Sequence, residues 1–271
     1  MNETLKRAIS GAVYVVLLIS CIYYSYDSFF ILFGLFLALA AYEFSKLVNL
    51  NKWFALLAAI SLYSFFYNSK YYLVYDKFIT GFTISVSLLL VYFLFSKKPT
   101  IPFSNYLKYV ALLGYIIFPF IIITKVPIGD KGYNPKILIS IFILIWTNDT
   151  FAYLVGKNIG KHKLLPSISP KKTIEGFVGG LFFTIISGYL LAKNYINIRE
   201  SNLYMWLIIA VIVSIFSTLG DLIESKFKRM AGVKDSGNIM PGHGGILDRL
   251  DSIIFVVPFI YLFYLILYYV S

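Results

Sequence analysis

The chain has 271 residues, of which 59% are apolar and 14% are charged. A soluble domain carries roughly 25% charged residues, so this composition excludes an ordinary soluble globule and predicts that lipid surrounds much of the chain. The net charge is +11. In a membrane protein this charge indicates anionic lipid head groups and phosphorylated ligands as partners, and no nucleic-acid partner is predicted.

Apolar stretches long enough to cross a hydrocarbon core recur along the whole chain. They are predicted near residues 9–25, 28–48, 53–67, 78–95, 107–124, 136–155, 174–192, 204–224 and 251–270. The third stretch is short, and it is expected to be either tilted or partly re-entrant. The predicted fold is therefore an all-α polytopic integral membrane protein with about nine transmembrane helices.

The distribution of basic residues predicts the orientation of these helices. Most of the 24 Lys and Arg residues fall on one side of the predicted topology, and the positive-inside tendency assigns that side to the cytoplasm. The N-terminus is then cytoplasmic, as are the two heavily charged loops that follow spans six and eight.

The polar residues divide the chain into two parts, residues 1–135 with spans one to five and residues 136–271 with spans six to nine. The first part has few polar residues within its predicted spans that could take part in chemistry. Glu43 is its only acidic residue within a predicted span, and it is expected either to pair with Lys46 or to serve a polar cavity.

Carboxylates lie at the ends of predicted spans in the second part of the chain. Asp149 follows an apolar run, Asp221 ends span eight, and Asp248 and Asp251 are three residues apart, so that one helix face can present both. A carboxylate at membrane depth costs at least ~2.5 kcal/mol unless it is paired or hydrated, so it indicates function by default. The alternative is structural pairing with Lys228, Arg229 or Arg249.

Carboxylate oxygens together with substrate phosphates are the ligands of hard divalent cations such as Mg²⁺. We therefore predict that Asp221, Asp248 and Asp251 bind Mg²⁺. The chain has two histidines, far apart in sequence, and no Cys/His cluster of the kind that binds zinc.

The loop after span eight combines glycines with basic residues, a composition typical of phosphate binding. Gly244 and Gly245 would let backbone amides approach an anion closely. The residues expected to contact substrate in and around this loop are Lys228, Arg229, Lys234, Asp235, His243, Gly244, Gly245 and Arg249. Each feature is weak alone, because a basic cytoplasmic loop also serves as a topology determinant.

The loop after span six carries Ser169, Lys171 and Lys172 directly before a predicted helix start. Two adjacent lysines at this position suit a triphosphate. Gly176 and Gly180 follow four residues apart, and close packing of span seven is the favoured interpretation of this pair.

Residues 225–251 read SKFKRMAGVKDSGNIMPGHGGILDRLD, and this segment resembles the signature of the phosphatidate cytidylyltransferases, or CDP-diglyceride synthetases. Met240 departs from the pattern, which usually has Leu, Ile or Phe there. The resemblance extends to residues 149–153, to Gly156-Lys157 and Gly160-Lys161, and to residues 169–176. It covers most of residues 146–251.

The resemblance implies an all-helical, commonly dimeric membrane enzyme that requires Mg²⁺ and, in some members, a monovalent cation such as K⁺. The compactness of the chain favours, by analogy, a bacterial inner membrane. The resemblance also implies condensation of CTP with phosphatidate to give CDP-diacylglycerol and pyrophosphate at the cytoplasmic face. Catalytic roles are then expected for Asp221, Asp248, Asp251, Lys228, Arg229 and His243. Asp149, Ser169, Lys171, Lys172, Lys234, Asp235, Gly244, Gly245 and Arg249 would bind substrate.

Two other functions are considered. A CTP-dependent polyprenol or phytol kinase would release CDP in place of pyrophosphate, and the long match over residues 225–251 argues against it. An ion-coupled transporter would often show inverted repeats with interrupted helices in both halves. The concentration of polar residues in the second half argues against that class.

Overall fold

The computed structural model describes residues 3–68, 73–96, 104–129, 132–196, 202–242 and 244–270. Ten α-helices dominate these ranges. They are Glu3–Tyr24 (α1), Tyr26–Leu47 (α2), Lys52–Asn68 (α3), Leu73–Phe95 (α4), Asn105–Ala111 (α5), Phe118–Lys125 (α6), Pro135–Ile159 (α7), Ile174–Leu191 (α8), Leu203–Met230 (α9) and Leu247–Val270 (α10). The π-helical segment Leu112–Ile117 joins α5 to α6, and a second, Ala192–Ile196, extends α8.

The predicted all-α polytopic fold is confirmed. Among the described residues, eight helical stretches are long and apolar enough to cross a membrane, while α3 is shorter. The predicted count of nine spans and the cytoplasmic N-terminus stay predictions. The helix α3 lies antiparallel to α2, because the Tyr63 hydroxyl donates to the Phe30 carbonyl at 2.9 Å and the Tyr67 hydroxyl to Asp27 at 2.8 Å.

Contacts between helix ends define two faces of the bundle. On the first, the end of α2 meets the start of α10, where the Leu247 amide donates to Glu43 at 2.8 Å, and the Lys226 ammonium of α9 binds the Phe93 carbonyl near the end of α4. We call this the site face. On the opposite face, Lys125 at the end of α6 pairs with Asp76 near the start of α4 at 3.4 Å.

Two short antiparallel hairpins were not predicted. The first pairs β1 (Ile128–Gly129) with β2 (Gly132–Tyr133). The second pairs β3 (Lys163–Leu165) with β4 (Ser169–Thr173), and it fills the loop between α7 and α8 at the site face. The hairpin gives the Lys171-Lys172 pair an extended backbone, so the two side chains point to opposite sides of β4.

Glycines bring α7 and α8 close together, as the packing interpretation predicted. A Cβ added at Gly180 would lie 2.9 Å from the Asn148 Oδ1 atom, and one at Gly176 would lie 2.6 Å from the Ala152 carbonyl oxygen. Larger residues would separate the two helices, because a Cβ at Gly180 would also lie 3.0 Å from the Asn148 carbonyl oxygen, so that backbone is met at both positions. This packing fixes the β3–β4 hairpin over the end of α7.

Candidate active site

The helices α9 and α10 present their acidic residues to each other at the site face. Asp221, Glu224 and Lys228 share one face of α9 because they are three and four residues apart. Gly220 permits the approach of α10: a Cβ added there would lie 2.7 Å from the Asp251 carbonyl oxygen and 2.8 Å from the Phe255 Cβ.

Three carboxylates form a compact group, which we call the carboxylate cluster. Asp221, Glu224 and Asp251 each offer an oxygen within 4.8 Å of the others. Glu224 is 1% exposed and Asp251 9% exposed. Neither oxygen of Glu224 receives a hydrogen bond of normal geometry. Converging carboxylate oxygens, of which those of Glu224 are buried, suit a hard cation, so these residues fit a divalent metal ion.

Two lysines partly neutralise the carboxylates. The Lys172 ammonium, from β4, lies 2.7 Å from the Asp221 Oδ2 atom. The Lys228 ammonium bridges Glu224 and the Asp248 Oδ1 atom, the latter at 2.7 Å. The structure therefore brings the predicted lysine of the first loop to the acidic residues of the second.

Asp248 anchors the glycine-rich loop, residues 231–246, onto α10. Its Oδ2 atom accepts hydrogen bonds from the Ser236 amide at 2.9 Å and the Gly245 amide at 2.7 Å. The Ser236 hydroxyl lies 3.0 Å away and shares its one proton between Asp248 and Glu43. Gly244 has φ +89°, a conformation that favours glycine. The glycines thus wrap the loop around a carboxylate of the protein itself, whereas the sequence predicted their approach to a bound anion.

A cavity of about 270 Å³ opens beside the carboxylates, between α1, α7 and α10. Its polar wall contains Asp149, Asp248, Arg249 and Asp251, and its apolar wall includes Phe142 and Trp146. The helix α1, which closes one side, is the least buried of the eight candidate spans. The cavity can therefore hold a molecule with both charged and apolar parts.

A buried polar network supports the cluster from within the bundle. The Ser214 hydroxyl donates to the Asn148 Oδ1 atom at 2.7 Å, and the Asn148 amide nitrogen donates to the Ser217 hydroxyl at 3.2 Å. The Ser252 hydroxyl donates to the Ser217 carbonyl at 3.4 Å. This chain of contacts links α7, α9 and α10 one turn from the carboxylate cluster.

The remaining predicted residues lie around this centre. Exposed side chains at the site face belong to Lys171, Arg229, Lys234, Asp235 and Arg249, and Ser169 begins β4 half-buried. Arg229 donates to the Val233 carbonyl at 3.3 Å, inside its own loop. His243 lies outside the described residues, so its predicted role stays a prediction.

Two carboxylates at the site face have contacts that the sequence did not predict. Glu224 was not predicted as a metal ligand, although its spacing of three residues from Asp221 placed it on the same helix face. Glu43 was predicted either to pair with Lys46 or to serve a polar cavity. Its carboxylate instead accepts from the Ile246 amide at 3.1 Å and from the Leu247 amide, while the Lys46 ammonium lies over the Tyr42 ring.

The fold and the site define a class of protein: a polytopic membrane protein whose acidic cluster and lysines meet at one face of the bundle. A family model described as "Cytidylyltransferase family" matches residues 5–267. The chain belongs to the cytidylyltransferase family.

Relatives in staphylococci are similar to part of the chain. A phosphatidate cytidylyltransferase of Staphylococcus aureus (strain COL) is 57% identical over 117 residues, which are 43% of this chain and 44% of the relative. The phosphatidate cytidylyltransferase of Staphylococcus haemolyticus (strain JCSC1435) is 54% identical over 119 residues, again 43% and 44% of the two chains. The aligned stretches therefore span less than half the length of these relatives.

Proposed function

We propose that the protein transfers the cytidylyl group of CTP to phosphatidate, giving CDP-diacylglycerol and pyrophosphate. The observation that carries the proposal is the carboxylate cluster, which lies next to two lysines and an amphipathic cavity in a member of the cytidylyltransferase family. The named activity of the staphylococcal relatives supports the same choice of substrates.

The carboxylate cluster would hold a divalent cation, and we propose Mg²⁺. When bound, Mg²⁺ supplies positive charge to the triphosphate of the nucleotide. Asp221, Glu224 and Asp251 fit this ion because their carboxylate oxygens converge within 4.8 Å of one another. Asp248 stays in the proposal as a ligand, for this ion or for a second, monovalent cation such as K⁺. Its Oδ1 atom becomes available when Lys228 turns to a phosphate.

The reaction needs little proton transfer, because the attacking group is already an anion. A phosphate oxygen of phosphatidate forms a bond to the α-phosphorus of CTP, and the bond between that phosphorus and the bridging oxygen to the β-phosphate breaks. Pyrophosphate leaves with the electron pair. Repulsion between the two anionic substrates is the main obstacle, so the protein acts by positioning them and stabilising charge.

Basic side chains at the site face would share the negative charge. Lys172 and Lys228 are held by carboxylates at 2.7 Å, and each can exchange that partner for a phosphate oxygen. Lys171, Arg229 and Arg249 are exposed nearby and would bind the outer phosphates. The predicted contacts of Asp149, Ser169, Lys234, Asp235, His243, Gly244 and Gly245 with substrate remain part of the proposal.

The lipid substrate would enter from the membrane. The cavity has apolar walls formed by membrane-spanning helices and a charged end at the carboxylates, which matches the amphipathic character of phosphatidate. We place the protein in a bacterial cytoplasmic membrane with the site face toward the cytoplasm, where CTP is available. We also propose that the protein forms a homodimer and that residues 136–271 form its catalytic part, whereas residues 1–135 form the N-terminal membrane helices.

The test is incubation of purified protein with α-labelled CTP, Mg²⁺ and phosphatidate vesicles. We expect labelled CDP-diacylglycerol in the lipid phase and one pyrophosphate for each product molecule. Release of CDP with a polyprenol or phytol as acceptor would overturn the proposal in favour of a kinase. Absence of any nucleotide conversion would remove the enzymatic assignment and leave an ion-coupled transporter to be tested by flux in vesicles.

A further inference from the structure

Glu43 occupies an unusual position for a carboxylate in the quiet first half of the chain. It lies in the last turn of α2 and is 1% exposed. Its own helix supplies no salt-bridge partner, because the Lys46 ammonium lies 4.2 Å from the centre of the Tyr42 ring. Its charge is compensated by groups about 200 residues later in the chain.

Three donors from the glycine-rich loop and α10 converge on Glu43. The Ile246 amide donates to Oε1 at 3.1 Å, and Oε2 accepts from the Leu247 amide at 2.8 Å and from the Ser236 hydroxyl at 3.1 Å. Leu247 is the first residue of α10. Glu43 therefore caps α10 from another helix, at the end where a negative charge is favoured.

The loop is shaped around the Glu43 carboxylate. A Cβ added at Gly237 would lie 2.8 Å from the Glu43 Cδ atom, and one at Gly245 would collide with both carboxylate oxygens. The absence of a side chain at these two positions leaves room for the Glu43 carboxylate against the loop. The close fit means that the position of the loop depends on this one side chain.

Ser236 connects Glu43 to the candidate metal site. Its hydroxyl lies 3.1 Å from Glu43 and 3.0 Å from Asp248. Asp248 in turn holds Lys228, which pairs with Glu224. One turn further along α10, Asp251 completes the carboxylate cluster, so the first turn of α10 sets the separation between Asp251 and the carboxylates of α9.

We propose that Glu43 is a positioning residue that fixes the start of α10 and, through it, the geometry of the carboxylate cluster. Its effect on turnover rests on the proposed function, whereas its effect on cation binding does not. Glu43 touches neither the cavity nor the cluster, so it acts through Ser236 and the two amides. A carboxylate is required because it offers acceptors on both oxygens, and an amide offers only one.

The test compares Glu43→Gln with Asp76→Asn, a matched buried carboxylate on the opposite face that pairs with Lys125. Two responses to Mg²⁺ are measured in purified protein: the rise in Tm with Mg²⁺ alone, and pyrophosphate release from CTP and phosphatidate. Loss of a group that orients metal ligands typically lowers metal affinity or activity about 10–100-fold. We expect Glu43→Gln to raise the Mg²⁺ midpoint about 10-fold and lower kcat about 10–100-fold, with the KM for phosphatidate little changed.

Asp76→Asn should lower Tm without moving the Mg²⁺ midpoint. A Glu43→Gln variant that behaves like Asp76→Asn, or that keeps the wild-type midpoint and kcat, would overturn the inference. If Glu43→Gln does not fold, Ser236→Ala replaces it; a wild-type Mg²⁺ midpoint in Ser236→Ala then rejects the inference. Wild-type protein that responds to Mg²⁺ in Tm but releases no pyrophosphate refutes the proposed function alone.

Discussion

The two faces of the bundle handle buried charge in different ways. On the opposite face, Asp76 is paired with Lys125 at 3.4 Å and accepts from the Tyr261 hydroxyl at 3.0 Å, so one carboxylate has one cation and a further donor. On the site face, the salt bridges among described residues give Asp221, Glu224, Asp248 and Asp251 two ammonium groups, those of Lys172 and Lys228.

Under the proposed function, this difference separates a structural charge from a functional one. The Asp76 carboxylate has its charge paired and its hydrogen bond supplied within the bundle, and these contacts stabilise the packing of α4, α6 and α10. At the site face, Asp221, Glu224 and Asp251 place carboxylate oxygens within 4.8 Å of one another, and like charges at this separation repel. Folding alone would select against such repulsion, so its presence supports the proposed site, which cations and phosphates would complete.

The sharpest test of the comparison is Asp251→Asn. Removing one carboxylate of the cluster should lower pyrophosphate release at least ~1,000-fold, because the electrostatic groups of an active site are often worth that much. Without Mg²⁺, Tm should equal or exceed that of wild-type protein, since the repulsion from Asp221 is relieved. A fall in Tm with activity retained would place Asp251 in the same structural class as Asp76. Asp248→Asn should likewise abolish product formation.

Replacement of Lys172 by alanine gives the next largest effect. Hydrogen bonds to charged groups contribute about 1.5–3 kcal/mol, so Lys172→Ala should lower kcat/KM for CTP about 10–100-fold. The matched control is Lys171→Ala, because Lys171 is exposed and adjacent. A smaller loss is expected for Lys171→Ala. Equal losses in the two variants would show that overall loop charge matters and the pairing with Asp221 does not.

The smallest effect on activity is expected for Asp76→Asn. Removing one partner of a buried ion pair costs about 3–5 kcal/mol, so Tm should fall clearly while kcat/KM stays near the wild-type value. Adding Lys125→Met should restore part of the stability, because the buried ammonium is then removed together with the carboxylate that it faced. Lost activity at a temperature where the variant is folded would contradict the separation of the two faces.

Much of the fold followed from hydropathy, because each span must satisfy its own backbone hydrogen bonds in lipid. The carboxylates of the second half were also found from sequence, since a charge at membrane depth is conspicuous in an apolar run. The spacing of Asp221 from Glu224 held the same information, because residues three apart share a helix face.

The contacts of Glu43 and the β3–β4 hairpin could not be predicted from neighbouring residues in the sequence. The local neighbours of Glu43 suggested Lys46, three residues away, whereas its partners are Ser236, Ile246 and Leu247. No periodicity within α2 encodes contacts with a loop from the other end of the chain. The hairpin escaped prediction for a related reason, because its strands are short and owe their position to the packing of α7 against α8.

The contact at Gly220 makes part of the chemistry depend on a residue that has no functional group. Alanine there would bring a methyl group to 2.7 Å from the Asp251 carbonyl oxygen, so α9 and α10 would have to separate. Asp221 and Glu224 would move with one helix and Asp251 with the other, and the cluster would widen with every acidic side chain intact. Under the proposed metal role, the distance between the two backbones would therefore determine cation affinity as much as the identity of the ligands.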